Sequence, residues 1–209
     1  MNHSGAADGQ ATANSATFWR PASVPSFARS LVTGGVGFCL VSICVFATVA
    51  FAERWMYARL GLFGAYLAWT ALFILLGGAV LGSLVVGRWR LPRFYLLFSA
   101  AFFAYAVAWV GAYFSLGGPA GEWVGALAGS LFMGLVLAIG FGAARSALKL
   151  SATLLVAHSL GYFLGSELND ALRGHAGMLT WGLMYGLWLG GGLGAALYLA
   201  QTRHADPAS

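Results

Sequence analysis

The chain has 209 residues, of which 60% are apolar or aromatic and 8% are charged. A soluble domain carries roughly 25% charged residues because its surface faces water, so the composition excludes an ordinary soluble protein. The net charge of +5 comes from Arg and Lys residues that flank apolar tracts. Since no stripe of basic residues is present, a nucleic-acid partner is not expected, and the lipid bilayer is the predicted surrounding.

The first 30 residues are polar and rich in Ala, Ser and Thr. A segment of such low hydrophobicity cannot bury enough apolar surface to fold. We expect residues 1–30 to form a disordered cytoplasmic tail.

Six apolar tracts free of Asp, Glu, Lys and Arg follow this tail. They comprise residues 31–52, 60–87, 94–116, 123–144, 150–166 and 178–200. About 20 residues of helix cross a hydrocarbon core of roughly 30 Å, and only the fifth tract is shorter. Strands of a membrane β-barrel would alternate apolar and polar residues, which these tracts do not. The sequence predicts an all-α bundle of about six transmembrane helices in one domain, residues 31–200, with a short cytoplasmic tail at 201–209.

The Arg and Lys residues predict the orientation of the bundle. Eight lie on one side: Arg20, Arg29, Arg88, Arg90, Arg93, Arg145, Lys149 and Arg203. Three lie on the other: Arg54, Arg59 and Arg173. Positive residues concentrate on the cytoplasmic side, so both termini are expected there, in a multi-pass protein of the inner membrane. Alternatively, Ala50-Phe51-Ala52 forms a signal-peptide cleavage site, which would leave five helices.

Small residues recur at every fourth position in the last three tracts. Ala126, Ser130, Gly134, Ala138 and Gly142 form such a stripe in the fourth tract; Gly161 and Gly165 lie in the fifth, and Gly182, Gly186, Gly190 and Gly194 in the sixth. Small residues let helix backbones approach closely in lipid, so these stripes predict tight packing of the last three helices. A pore lining or a subunit interface is the alternative interpretation.

His158 lies in the middle of the fifth tract, and no tract contains a carboxylate. With Tyr162 on the same helical face and Ser130 at a similar depth, it forms a candidate midplane polar site. Ionisable residues at membrane depth are expensive and mostly functional, which favours a proton-responsive or catalytic group. The alternative is a neutral imidazole bonded to a hydroxyl or carbonyl of a neighbouring helix.

Charged and polar residues also cluster at the predicted outer face. They are Glu53, Arg54, Glu167, Asn169, Asp170, Arg173 and His175. We interpret them as a candidate vestibule, although a solvated turn with weak charge pairs would look the same. Cys39 and Cys44 are five residues apart on different helical faces, and the four His are scattered, so neither a disulfide, nor a metal site, nor a cofactor is expected.

Residues 157–165, Ala-His-Ser-Leu-Gly-Tyr-Phe-Leu-Gly, resemble the His-x-x-Gly-x-x-x-Gly helix of the rhomboid intramembrane proteases. This resemblance implies that His158 activates a serine on an earlier helix, for which Ser130 is the nearest candidate. The family has Gly-x-Ser-Gly at the nucleophile and another helix between the two, whereas Leu131 follows Ser130 and the two tracts here are consecutive.

Three functions follow from these patterns. Tracts without carboxylates argue against an ion-coupled pump and favour a passive small-solute permease or facilitator. A non-catalytic membrane subunit, assembled with other membrane subunits or as a homo-oligomer, is the alternative. A rhomboid-like intramembrane serine hydrolase is the second alternative.

Overall fold

A computed structural model describes residues 23–87 and 89–202 of the chain. Most of the expected N-terminal tail, together with Arg20, Arg88 and Arg203, lies outside these residues. Five helices make up the described part: α1 Phe27–Leu81, α2 Arg90–Leu116, α3 Gly118–Gly140, α4 Ala147–Leu172 and α5 Gly174–Thr202. All five are long and apolar enough to cross a membrane, which confirms the prediction of an all-α membrane protein.

Each helix extends beyond its apolar tract at one end or both, although α1 and α3 end before the second and fourth tracts do, at Leu81 and Gly140. α1 runs without a loop through Glu53, Arg54 and Arg59, where the sequence predicted a connection. α4 has 26 residues, and it includes Lys149 and Glu167 on either side of the short fifth tract. A tract without charge marks only the part of a helix that lipid surrounds, because the backbone hydrogen bonds continue into the aqueous interface.

α1 is folded back on itself at Gly61, which has φ 67° and ψ 178°. Across the kink, the Trp69 indole Nε1–H donates to the Thr48 hydroxyl at 3.0 Å. Farther from the kink, the rings of Phe38 and Phe73 stack with centroids 5.6 Å apart. Residues 27–60 and 62–81 are therefore two antiparallel arms that join the first two predicted tracts into one helical hairpin.

Gly61→Ala is expected to destabilise the protein by about 1–3 kcal/mol, because the backbone region that Gly61 occupies is essentially restricted to glycine. No neighbouring atom lies within 4 Å of a Cβ at Gly61, so the cost comes from the backbone and not from a clash. Gly111→Ala in α2 is the matched control, since it is also free of neighbours within 4 Å and has no positive φ. Thermal unfolding in mild detergent measures both variants, and an equal melting temperature for the two would contradict the strained kink.

The bundle has two ends with different charges. We call the end that contains Gly61, Gly117 and Arg173 the kink end, and the opposite end the basic end. Every described carboxylate lies at the kink end: Glu53, Glu122, Glu167 and Asp170. The described cations at the basic end are Arg29, Arg90, Arg93, Arg145 and Lys149. Within the described ranges, the basic end is therefore purely cationic.

The five helices form a closed ring, in which each helix packs on its neighbour in the chain and α5 packs on α1. The most extensive of these interfaces joins α1 and α5. At the basic end, the Gln201 side chain accepts from the Val86 N–H at 3.0 Å and donates to the Leu84 carbonyl at 3.2 Å. This side chain ties the α1–α2 connection to the end of α5.

The glycine stripe of α5 packs on α1 and not on the last three helices alone. Gly182 lies against Phe46, Gly186 against the backbone of Cys39, and Gly194 against the Ser30 carbonyl. The α4 stripe packs on α5, where a Cβ at Gly161 would lie 3.0 Å from the Tyr185 Cα. The close contacts predicted from the stripes therefore hold the first helix as well as the last three.

The outside of the ring is apolar, as expected of a surface that lipid covers. Phe63 is 85% exposed, Leu148 79% and Leu96 76%. A soluble monomer does not present such continuous apolar surface to water. A groove of about 750 Å³ between α1, α4 and α5 belongs to this outer surface, and Lys149 is the one charged residue among its described lining residues.

Candidate functional site

The middle of the bundle contains a hydrogen-bonded cluster of three side chains from three helices. The Tyr105 hydroxyl of α2 lies 2.9 Å from Nδ1 of His158 on α4 and 2.7 Å from the Tyr185 hydroxyl of α5. All three side chains are buried. A neutral imidazole satisfies both bonds, for example when Tyr185 donates to Tyr105 and Tyr105 donates to Nδ1. His158 thus has a hydroxyl partner at membrane depth, on a helix that is not its neighbour in the chain.

Two glycines make room for this cluster. A Cβ at Gly129 of α3 would lie 2.7 Å from the Tyr105 ring, and Gly161 of α4 lies against the backbone of Tyr185. The small side chains bring α3 against α2 and α4 against α5, so that the hydroxyls meet the imidazole.

The structure brings together two of the three residues of the predicted midplane site. The Tyr162 ring stacks on the His158 ring, with centroids 5.5 Å apart and an interplanar angle of 19°. Ser130 is buried in α3, but its hydroxyl has no hydrogen-bond partner among the described residues. The Ser–His hydrogen bond that the rhomboid resemblance implies is therefore not formed.

A cavity of about 320 Å³ leads from the kink end to this cluster. Both arms of α1 contribute to its wall, together with α2, α4 and α5. Twelve of its nineteen lining residues are aromatic: Phe46, Tyr57, Tyr66, Trp69, Phe73, Phe102, Tyr105, Trp109, Tyr113, Tyr162, Trp181 and Tyr185. Its volume falls at the lower end of the range of small-molecule sites, roughly 300–1,000 Å³.

Phenylalanine rings close the bundle between this cavity and the basic end. We call this set the phenylalanine plug; it comprises Phe38, Phe73, Phe94, Phe98 and Phe102. Phe73 and Phe102 line the cavity, with ring centroids 5.4 Å apart. Behind them, Phe98 stacks on Phe94 at 5.5 Å. The plug separates the cavity from the cationic end of the protein.

Glu53 is the member of the predicted vestibule that lines the cavity, and it is exposed at the mouth. Arg54, Glu167, Asn169, Asp170, Arg173 and His175 lie at the same end but do not line it. Asn169 packs on Gly177, and the His175 ring packs on Phe51 with centroids 4.5 Å apart. Among the described residues, Glu53 is thus the one charged side chain that lines the cavity.

The sequence patterns predicted neither the tyrosine partners of His158 nor the aromatic wall. Tyr105 and Tyr185 lie in the middle of their helices, where a hydroxyl needs a partner just as an imidazole does. The sequence therefore indicates that each of these hydroxyls has a hydrogen-bond partner, but it does not identify the partner. No group of three His, Cys, Asp or Glu side chains able to hold a metal ion occurs among the residues that the structure describes.

Compared with known proteins, the chain matches no protein family, and no curated protein and no solved structure is significantly similar to it.

Proposed function

We propose that this chain is a multi-pass permease of the inner membrane that lets a small solute cross by facilitated diffusion. The observation that carries the proposal is the cavity of about 320 Å³, which enters the bundle from one end and stops at buried rings half way through. Small-molecule sites between the helices of a bundle have this form, with an apolar wall and a few polar groups. The Tyr105 and Tyr185 hydroxyls supply such groups at its floor.

The topology that we propose for this permease has six membrane spans. The two arms of α1 lie antiparallel, and each has enough apolar residues to cross a core of about 30 Å. The basic end, whose described charged residues are all cations, faces the cytoplasm by the positive-inside rule, and residues 23 and 202 then lie on the cytoplasmic side. The cavity then opens outward, and the phenylalanine plug lies toward the cytoplasm.

In this proposal the structure corresponds to an outward-open state of the permease. A solute enters past Glu53, binds above Phe73 and Phe102, and reaches the cytoplasm when the plug moves aside. Every described carboxylate lies at the kink end and none in the middle of the bundle, which favours a passive path over one coupled to an ion gradient. A permease is favoured over a serine hydrolase because the Ser130 hydroxyl and Nε2 of His158 have no hydrogen-bond partner among the described residues, so the two are not bonded to each other.

The test is solute flux into proteoliposomes, measured by light scattering for a panel of neutral and charged small solutes. Ala106 lines the cavity from α2, so Ala106→Trp is expected to fill the cavity and to reduce flux to that of empty liposomes. Ala100 lies on the outer surface of the same helix. Ala100→Trp adds the same ring outside the cavity and is expected to leave flux unchanged.

Two results would oppose this proposal. If no solute in the panel crosses faster than in empty liposomes, the non-catalytic subunit is favoured, and it should then co-purify with a partner in mild detergent. If both tryptophan variants retain full flux, solute does not pass through the cavity.

A further inference from the structure

We infer that the cavity binds a small organic cation, with a quaternary or aromatic ammonium group as the recognised chemistry. This inference deepens the proposed function, because it names the class of solute held in the same cavity. It depends on the aromatic wall, on the single charge in that wall and on the absence of cationic side chains among the described lining residues.

The aromatic wall is a connected set of rings and not a scatter of single side chains. On one side, the Trp181 ring lies 5.8 Å from that of Phe46 and 5.4 Å from that of Tyr162. From Tyr162 the chain of rings continues to Trp109 at 5.4 Å, and Trp109 stacks on Tyr113 at 5.1 Å. Each ring is held by its neighbours, so its orientation is fixed before a ligand arrives.

Such a wall attracts cations and repels anions. The face of an aromatic ring carries negative charge density, and a cation within about 6 Å of a ring centroid is attracted to it, most strongly by tryptophan. Three of the lining residues are tryptophans: Trp69, Trp109 and Trp181. A cation that leaves water for this cavity exchanges its hydration shell for contact with aromatic rings, whereas an anion would meet no positive side chain among the described lining residues.

Glu53 at the mouth has the sign of charge that this class of ligand requires. No other charged residue lines the cavity in the described part of the chain, and Arg54 and Arg59 at the same end are not among the lining residues. A carboxylate at the mouth of an aromatic cavity raises the local concentration of cations. The Tyr105 and Tyr185 hydroxyls at the floor already bond each other and His158, so a ligand head group without hydrogen-bond donors suits the site.

The inference is tested by measuring the binding of small ammonium compounds to the purified full chain in nanodiscs, which does not require transport. The probes are choline, tetraethylammonium and phenyltrimethylammonium, read out by quenching of tryptophan fluorescence and by calorimetry. The neutral comparison is the carbon isostere of choline, in which a quaternary carbon replaces the nitrogen. We expect at least one ammonium probe to bind. If choline binds, we expect its affinity to be about tenfold higher than that of its isostere.

Glu53→Gln tests the charge at the mouth with little change in shape. We expect it to weaken binding of the ammonium probe by about fivefold, as removal of one exposed attractive charge does. Glu167→Gln removes an exposed carboxylate at the same end that does not line the cavity, so it is expected to leave binding unchanged.

The results separate this inference from the proposed function. The inference is overturned if no ammonium probe binds, if the neutral isostere binds as tightly as choline, or if Glu53→Gln has no more effect than Glu167→Gln. Flux of neutral solutes blocked by Ala106→Trp would then leave the permease standing without cation selectivity. Charge-dependent binding in a protein that shows no flux would establish the cation site and refute the permease.

Discussion

Gly190→Leu is expected to leave little folded protein in the membrane. A Cβ at Gly190 would clash with the Gly34 carbonyl oxygen and the Phe38 Cβ of α1, so a larger side chain must push the two helices apart. The backbone of α1 cannot move alone, because Gly186 and Gly194 hold it on either side. Even Gly190→Ala overpacks this contact and should cost about 1–3 kcal/mol.

Gly191→Ala is the matched control for this prediction. A Cβ at Gly191 meets its nearest neighbour, the Leu31 Cδ1, at 3.6 Å, which is an ordinary van der Waals distance. We therefore expect the change to alter the free energy of unfolding by less than about 0.5 kcal/mol. Size-exclusion chromatography of heated detergent extracts measures both variants. Equal melting temperatures for Gly190→Ala and Gly191→Ala would contradict the close approach of α1 and α5.

The class of the fold could be predicted from the sequence because solvation by lipid is a local property of each segment of the chain. Whether a stretch of chain dissolves in lipid depends on its own residues, so the tracts and the residues between them can be identified without knowing the fold. The same reasoning marked His158 and the glycine stripes. Where a tract ended at Arg54 or Lys149, however, the helix continued, since charge ends the lipid-covered part of a helix and not the helix itself.

The sequence could not predict which helices pack on each other, because that depends on how each helix is rotated in the bundle. The glycine stripe that includes Gly190 predicts that another helix backbone approaches α5, but it does not predict that this helix is α1. Tyr105 reaches His158 across 53 positions of sequence and Tyr185 across 80. The sequence predicted which end of the bundle the vestibule residues share, because chain topology places Glu53 and Asp170 at one end. It did not predict that, of the vestibule residues, Glu53 alone lines the cavity, since that depends on helix rotation.

Tyr105→Phe is expected to lower the free energy of unfolding by about 2 kcal/mol, because a buried polar group left without its partner costs about 1–3 kcal/mol. The substitution keeps the ring, which packs on Phe102 at 5.5 Å, and removes only the hydroxyl. His158 Nδ1 and the Tyr185 hydroxyl then both lose the oxygen that joins them.

A double-mutant cycle distinguishes this network from a general loss of packing. Tyr185→Phe removes the other hydroxyl, and the double variant with Tyr105→Phe leaves only His158 without a partner. The sum of the losses in free energy of unfolding for the two single variants should therefore exceed the loss for the double variant, as for residues in one hydrogen-bond network. Tyr198→Phe is the control, since its hydroxyl makes no hydrogen bond among the described residues and its removal should change the melting temperature little. Additive effects of Tyr105→Phe and Tyr185→Phe would show that the two hydroxyls act separately, and the cluster at the floor of the cavity would lose its physical basis.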